Sequence, residues 1–385
     1  MRVTFPTYCT RVHQARLYPT ADKSVALPGR IPPTFLPDGS TCLMLRPWLT
    51  GCALAAAVVV TVAAGVAIGS AQIAVSDVLQ VLGTRLGLID KSLDPTIDRI
   101  VWSLRMPRVV LAMLVGGGLS IIGVAMQTLV RNPLAEPYVL GISGGATAGA
   151  SLFYLGFLPP VLSKAVSMPV AAFLGGLGTI VIVYLVARTE SHVSVARLLL
   201  AGVAMSALTS SITSFVTFSS PEPDALRAVL FWLLGSFSGA RWALIPGAAV
   251  VTIAGAVLLT GLARPLDAML MGEEPAYHLG VPVEALKRGL LVLAALVTGT
   301  LVSTSGAIGF VGLIVPHAVR MVAGVTHRTL IPVSFLVGAL FMVWADLAAR
   351  TLLPAQELPV GILTALCGVP FFLWLLRRQG TTTSP

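Results

Sequence analysis

Residues 306–317 read GAIGFVGLIVPH, and this stretch decides the class of fold. It carries no Asp, Glu, Lys or Arg, so it suits the interior of a lipid bilayer. Its glycines have no side chain to keep two backbones apart, which allows neighbouring helices to approach closely. It ends in Pro316 and His317, and Arg320 follows within one helical turn. The stretch therefore predicts a tightly packed helix in a membrane.

The composition of the whole chain agrees with a membrane protein. Of its 385 residues, 56% are hydrophobic and only 11% are charged, and the mean hydropathy is +0.90. A soluble domain carries about 25% charged residues, so this chain lacks the polar surface to cover a globule in water. Lipid offers no hydrogen-bond partner to the backbone, so each span must be a helix or part of a closed barrel. The apolar runs are long and do not alternate, which favours an all-α membrane protein.

Ten apolar runs are long enough to be membrane helices, at about 20 residues for each crossing. They lie at about 49–69, 108–129, 139–158, 168–187, 198–218, 242–262, 289–303, 307–325, 331–349 and 360–376. An even number places both termini on one side. With cytoplasmic termini, the inner segments hold 12 Lys/Arg close to a span and the outer segments hold 9. The positive-inside rule therefore favours this orientation. Five of the outer charges fall between Arg85 and Arg108, and a docking surface would explain that local exception.

The sequence divides into a tail and a transmembrane domain. Residues 1–45 are polar, contain six prolines and have no helical period, whereas residues 46–380 hold every apolar run. Two interpretations of the tail stay open: a disordered N-terminal segment, or a start site placed too early, with Met44 as the true one. Two segments between spans are too short or too charged to cross. Residues 224–238 read as a re-entrant or surface helix, and residues 265–287 as two short helices.

Several functional classes are excluded by what the sequence contains. The net charge of +9 comes from basic residues scattered between apolar runs, without the Lys/Arg and aromatic stripe of a nucleic-acid interface. The four cysteines (Cys9, Cys42, Cys52, Cys367) have no zinc or disulfide spacing, and the histidines form no ligand cluster. We therefore expect no bound metal or cofactor.

Catalytic motifs are also missing from the sequence. The chain has no GxxxxGK[ST] phosphate loop, no GxSxG nucleophile elbow and no HExxH zinc motif. The chain is thus not expected to be an enzyme. If ATP drives its function, another polypeptide must hydrolyse it.

The fifth run carries a stripe of hydroxyl side chains. They follow the i, i+3, i+4, i+7 spacing of one helix face: Ser206, Thr209, Ser210, Thr213, Ser214 and Thr217. The opposite side is apolar, with Leu208, Ile212 and Phe215. Such a stripe can line a water-filled path. It can equally hydrogen-bond to adjacent helices or back to its own carbonyls.

Two other features of the spans have mainly structural interpretations. Gly141, Gly145 and Gly149 recur every four residues, so they line one helix face and predict close packing of a neighbour. Asp346 is the one clear charge within a span, and Arg350 lies one turn away as a partner. A proton relay at Asp346 is the alternative.

Four further motifs accompany residues 306–317 in a fixed order. They are RMPR (105–108), RNPLAEP (131–137), GEE followed by LGV (272–274 and 279–281), and ELPVG (357–361). Together the five motifs resemble the FecCD-type permease family, which imports iron–siderophores, haem and cobalamin through ABC transporters. The resemblance covers nearly everything beyond the tail.

The resemblance implies a type II ABC importer permease fold of ten helices in the cell membrane. It also implies a homodimer, or a pair with a paralogous permease, working with two ATPase subunits inside and a substrate-binding protein outside. Carried over residue by residue, Arg105, Arg108 and Arg350 would dock the binding protein. The fifth helices would flank the central path, and an inner gate would lie around residues 194–197. The residues that would couple to the ATPase are Gly272, Glu273, Glu274, Leu279 and Gly280.

The substrate and the energy source leave alternatives. Within the family, a ferric siderophore ranks ahead of haem and cobalamin by frequency. An ion-coupled secondary transporter would usually place charged or unwound segments at the bilayer midplane, and only Asp346 is available here. A membrane enzyme or a purely structural membrane protein is the third hypothesis, and the missing catalytic motifs argue against the enzyme.

Overall fold

The computed structural model describes residues 47–69, 73–89, 94–189, 192–219, 223–353 and 356–380. Within these ranges the regular structure is helical, apart from a single bridge between Arg188 and Val193. Each of the ten predicted runs overlaps one helix. The ten are α1 (Pro47–Ala67), α4 (Met106–Val130), α5 (Ile142–Tyr154), α7 (Met168–Ala187), α8 (Val195–Phe218), α10 (Ile245–Gly261), α13 (Val283–Ser305), α14 (Val311–Ala323), α15 (His327–Thr351) and α16 (Val360–Gly380).

Seven of these helices are long and apolar enough to cross a membrane. One of them is α4, which continues a helical stretch beginning at Pro95. Shorter apolar helices run over Leu54–Ala67 and Val311–Ala323, and α5 has 13 residues. The predicted all-α membrane fold is therefore confirmed.

Between the long helices, the described residues form six shorter α-helices. They are α2 (Val75–Arg85), α3 (Pro95–Asp98), α6 (Pro160–Ala165), α9 (Pro223–Leu233), α11 (Ala263–Leu270) and α12 (Glu273–His278). The helix predicted within residues 224–238 is α9, and the two predicted within 265–287 are α11 and α12, so both predictions are confirmed. A π-helical stretch, Arg99–Arg105, joins α3 to α4. The predicted tail, residues 1–45, lies outside the described residues.

Helix α4 is the centre of the fold, and most of its residues are buried. Glycines make this packing close. A Cβ added at Gly116 would lie 2.1 Å from the Gly338 carbonyl oxygen on α15, and one at Gly123 would lie 1.9 Å from the Gly312 oxygen on α14. Both distances are far below a van der Waals contact, so α14 and α15 can reach α4 only where it has glycine.

The glycine face predicted on α5 packs against α7. A Cβ added at Gly145 would lie 2.4 Å from the Gly175 carbonyl oxygen, and one at Gly149 would lie 2.3 Å from the Ala171 oxygen. Gly141 precedes α5 in a left-handed conformation, with φ of 77°. The prediction of close helix packing along this face is confirmed.

Two clusters of charged residues lie at opposite ends of α4. The arginine cluster (Arg105, Arg108 and Arg350) lies at its beginning, beside the end of α15. The coupling segment (residues 265–287) lies near its end, where a Cβ added at Gly272 would be 3.6 Å from Arg131 Nη1. The fold therefore holds the two predicted partner surfaces on different ends of one central helix.

Candidate functional site

The arginine cluster caps the end of α1. Arg105 Nη1 donates to the carbonyl oxygens of Val66 and Ala67, both at 2.8 Å, and Arg350 Nη2 donates to that of Gly65 at 3.0 Å. The last carbonyls of a helix have no partner within the helix, and they lie at the negative end of its dipole. Two guanidinium groups supply both the donors and the positive charge.

Two carboxylates complete the cluster. Arg108 Nη2 donates to Asp346 Oδ1 at 2.9 Å, and Arg108 Nη1 donates to Glu357 Oε2 at 2.8 Å. Arg350 Nε forms an ion pair with Asp346 Oδ2 at 3.2 Å. The interpretation of Asp346 as a partner of Arg350 is confirmed. The sequence did not reveal that Arg108, from the other half of the chain, shares the same carboxylate.

The three arginines of the cluster are nearly buried in the folded chain. Arg105, Arg108 and Arg350 are only 6%, 9% and 8% exposed, respectively. The carbonyls of α1 and the buried Asp346 occupy these donors, and the docking role that the resemblance implies stays a prediction. The most accessible member of the cluster is Glu357, whose side chain is 42% exposed.

The five residues predicted for ATPase coupling surround the short helix α12. Gly272 and Gly280 lie on either side of it with φ of 122° and 82°, a region that favours glycine. Glu273 and Glu274 form its first turn. Leu279 is 63% exposed, and Glu274 and Gly280 are also exposed. The segment thus presents a small turn-flanked helix on the surface, with acidic residues at its positive end.

Two buried polar contacts tie the coupling segment to the spans. Lys287 Nζ lies 2.6 Å from Glu273 Oε2 and 3.0 Å from Glu284 Oε1. On α11, Asp267 Oδ1 lies 2.6 Å from Nδ1 of the fully buried His327. His327 Nε2 lies in turn 2.7 Å from the Thr128 hydroxyl of α4.

Sequence reasoning missed both contacts. The only local signal was the i, i+3 spacing of Glu284 and Lys287. The partners of His327 lie 60 and 199 positions away along the chain, so no local pattern could identify them.

The hydroxyl stripe of α8 does not face one environment. Thr209 and Thr213 are buried, and a Cβ added at Gly144 of α5 would lie 2.4 Å from the Thr209 hydroxyl. Ser210 and Ser214 are exposed, while Ser206 and Thr217 are half-buried. Thr209 and Thr213 therefore lie on the buried side of α8, where α5 lies against Thr209, and the path-lining role of the stripe stays a prediction.

Three of these six hydroxyls form hydrogen bonds within α8. The hydroxyls of Thr209, Thr213 and Thr217 donate to the carbonyls of Met205, Thr209 and Thr213 at 2.8, 2.9 and 2.6 Å. This is the back-bonding alternative that the sequence left open. The exposed face of α8 instead mixes Ser210 and Ser214 with Leu208, Ile212 and Phe215.

An irregular segment between α13 and α14 is held by the loop after α4. The Phe310 N–H donates to Glu136 Oε1 at 2.5 Å, and the Tyr138 hydroxyl donates to the Ile308 carbonyl at 2.7 Å. Phe310 has a φ of 69°, which is unusual for a residue with a side chain. Burial raises the pKa of Glu136 to about 7, and the hydrogen bond from Phe310 opposes that rise. Residues 306–317 therefore begin with a strained turn that is held by the RNPLAEP motif.

Comparison with known proteins follows the same motifs. The model of the FecCD transport family matches residues 57–378. The cobalamin import system permease protein BtuC of Halobacterium salinarum is 45% identical over 284 residues, covering 74% of this chain and 75% of that protein. The hemin transport system permease protein HmuU of Yersinia pestis is 42% identical, and the match covers 72% of this chain and 84% of that protein. The Fe(3+) dicitrate transport system permease protein FecD of Escherichia coli is 40% identical, and the match covers 73% of this chain and 86% of that protein.

A solved structure has the same fold. It is an inward-facing conformation of a metal-chelate-type ABC transporter, 30% identical to this chain, with a TM-score of 0.73. The match covers 85% of this chain and 98% of that one. The relatives are permeases rather than ATPases, which agrees with the absence of a phosphate loop in this sequence. The chain therefore belongs to the FecCD transport family, and it is a multi-pass permease subunit of an ABC importer rather than an enzyme.

Proposed function

We propose that this permease imports a ferric siderophore across the cell's inner membrane as a homodimer, with both termini cytoplasmic. In this proposal, residues 46–380 are the permease domain. Two ATPase subunits bind inside, and a substrate-binding protein delivers the chelate outside. The observation that carries the substrate class is the exposed face of α8. From Leu198 to Phe218 this helix has only apolar and hydroxyl side chains.

Such a face suits a bulky chelate better than a bare metal ion. An iron ion stripped of its chelator needs carboxylate, imidazole or thiolate ligands along its path. The organic shell of a chelate can instead move past hydroxyl and apolar groups, such as Ser210 and Leu208, without being trapped. The relative named for Fe(3+) dicitrate and the metal-chelate-type solved transporter support the same class.

Cobalamin and haem are the competing substrates within this class. They are favoured by relatives at 45% and 42% identity that are named for cobalamin and hemin import. The three candidates share one chemistry, a metal enclosed by a large organic ligand. Transport by the same permease face is therefore compatible with each.

The coupling segment is proposed as the surface that contacts the ATPase. Its exposed residues, Glu274, Leu279 and Gly280, lie at one end of the helix bundle, and Glu273 is tied to the buried Lys287. Because Gly280 has a φ of 82°, a leucine there would strain the turn after α12. Gly280→Leu should abolish uptake while membrane insertion stays normal. Unchanged uptake would contradict the coupling role.

Docking of the binding protein is proposed at the arginine cluster by an exchange of partners. Glu357 is the accessible carboxylate on Arg108, so a carboxylate of the binding protein can take its place at Nη1. Arg108→Gln should then weaken docking and reduce its salt dependence, since charge pairs at a surface are screened over about 8–10 Å. Glu357→Gln should strengthen docking, because it removes the internal competitor. An unchanged docking affinity in both variants would contradict this role.

The substrate is tested most directly on the partner binding protein. Its affinity should be measured for a ferric hydroxamate siderophore, ferric citrate, hemin and cyanocobalamin under one set of conditions. Tight binding of a ferric chelate alone supports the proposal. Preference for hemin or cyanocobalamin would replace the siderophore with that ligand while leaving the permease role intact.

A further inference from the structure

Lys287 is a buried cation at a point where three elements of the chain meet. Its side chain is only 2% exposed. Besides Glu273 of α12 and Glu284 of its own helix α13, its Nζ lies 3.4 Å from the carbonyl oxygen of Val193, in the loop between α7 and α8. An ammonium group has three N–H donors, and these three oxygens match them. A buried ammonium that loses a partner is strongly disfavoured, so the group is held to all three.

The loop side of this contact is held by several further hydrogen bonds. The Val193 N–H donates to Glu284 Oε2 at 2.9 Å, so both backbone polar groups of Val193 are held by α13. Val193 also forms an isolated antiparallel bridge with Arg188, and the Ser194 N–H donates to the Ala187 carbonyl at 3.2 Å. Ser194 then caps the first turn of α8. A displacement of Val193 is therefore passed to the start of α8 through Ser194.

The other side of the contact belongs to α12. Glu273 stands in the first turn of α12, and its side chain is 35% exposed. Its 2.6 Å ion pair with Lys287 is the shortest of the three contacts of this ammonium. A displacement of α12 by a partner outside the membrane domain thus acts on Lys287 through this ion pair.

We propose that Lys287 transmits movement of α12 to the α7–α8 loop, and that it is a positioning residue for the gate around residues 194–197. This inference rests on the proposed contact between the coupling segment and the ATPase. When the ATPase displaces α12, Lys287 follows Glu273, because separation would leave one of the three donors of a buried ammonium unpaired. The Val193 carbonyl and the start of α8 move with it.

The test follows the gate in the complex of the full chain with its ATPase. A single cysteine replaces the exposed Ala196 after the four native cysteines are removed. Its reaction rate with a hydrophilic maleimide is measured without nucleotide and with ATP plus vanadate, and ATP hydrolysis is measured in parallel. The rate is expected to change by about fivefold or more between the two states, the lower end of ordinary coupling between sites.

Lys287→Met should reduce this change to less than about twofold, while the ATPase still co-purifies and hydrolyses ATP. Lys287→Arg keeps a cation with several donors and should restore part of the change. Arg288→Gln is the matched control, because Arg288 is the exposed neighbour whose Nε donates only within its own helix, to the Glu284 carbonyl at 3.2 Å. It should respond as the unsubstituted chain does.

Glu273→Gln is the second variant and applies even if Lys287→Met fails to fold. It should lose the nucleotide response, and the double variant Glu273→Gln/Lys287→Met should lose no more than Lys287→Met alone. A full response in Glu273→Gln or in Lys287→Met would overturn the inference about Lys287 only. An unsubstituted complex that hydrolyses ATP without any change at residue 196 would overturn the proposed coupling, and this inference with it.

Discussion

Replacing Asp346 with asparagine tests whether a buried charge holds the arginine cluster together. Asp346 is 1% exposed, and it accepts hydrogen bonds from Arg108 Nε and Nη2 at 2.9–3.1 Å. Arg350 Nε lies 3.2 Å from Asp346 Oδ2. Asparagine keeps the size of the side chain and removes the charge. Two nearly buried guanidinium groups then lose their common anion.

The expected cost follows from burial. Removing one partner of a buried ion pair costs about 3–5 kcal/mol, because the remaining charge has left water without compensation. At about 1.4 kcal/mol for each factor of ten, this lowers the folding equilibrium constant roughly 100- to 4,000-fold. Glu357 is the matched control, since it binds the same Arg108 but its side chain is 42% exposed. Glu357→Gln should cost only about 0–1 kcal/mol, as expected for a solvent-screened pair.

The assay is reversible unfolding in mixed micelles by titration with a denaturing detergent, followed by helical circular dichroism. The free energies of unfolding of both variants are compared with that of the unsubstituted chain. Equal costs for Asp346→Asn and Glu357→Gln would refute the reasoning from burial. So would an Asp346→Asn variant within about 1 kcal/mol of the unsubstituted chain.

Three further predictions concern packing, protonation and exposure. Gly123→Ala places a Cβ 1.9 Å from a backbone oxygen of α14, so the same titration should show a free energy of unfolding lower by at least about 1–3 kcal/mol. Gly261 has open space around it, so Gly261→Ala should be neutral or stabilising. Burial raises the pKa of Glu136 from 4.5 to about 7, so the folded chain retains a proton that the unfolded chain has lost. The free energy of unfolding should therefore fall as pH rises between those values, and Glu136→Gln should flatten that slope; an identical slope would contradict it. In a chain without native cysteines, the cysteine of Ser210→Cys should react with a hydrophilic maleimide faster than that of Thr209→Cys, because Thr209 is only 4% exposed and lies against α5. Equal rates would show that the α5–α8 contact opens.

Periodic features of the sequence were predicted well because their signal is local. The ten apolar runs, the short helix α9 and the pair α11–α12 follow from hydropathy and from the glycines and prolines around them. Helix α2 was missed. It lies in a charged segment, and only Val78, Val81 and Gly83 are buried in it. A helix with so narrow a buried side gives a weak pattern by eye.

Contacts between distant parts of the chain could not be predicted. Arg108 and Asp346 are 238 positions apart, so no local pattern shows that they pair in the folded chain. The same limit applies to α8. Spacing placed its hydroxyls on one broad side, but it could not show that Thr209 is buried against α5 while Ser210 and Ser214 are exposed. The position of Gly144 beside Thr209 decides this, and it depends on how two helices pack.

Reconstituted transport tests the central claim, which is ATP-driven import of a metal chelate. The chain and its ATPase are placed in lipid vesicles, the binding protein is added outside, and accumulation of radiolabelled ferric siderophore is followed. Accumulation is expected only with all three proteins and ATP inside, and it should stop with a non-hydrolysable ATP analogue. Accumulation by the chain alone under a proton or sodium gradient would contradict the claim.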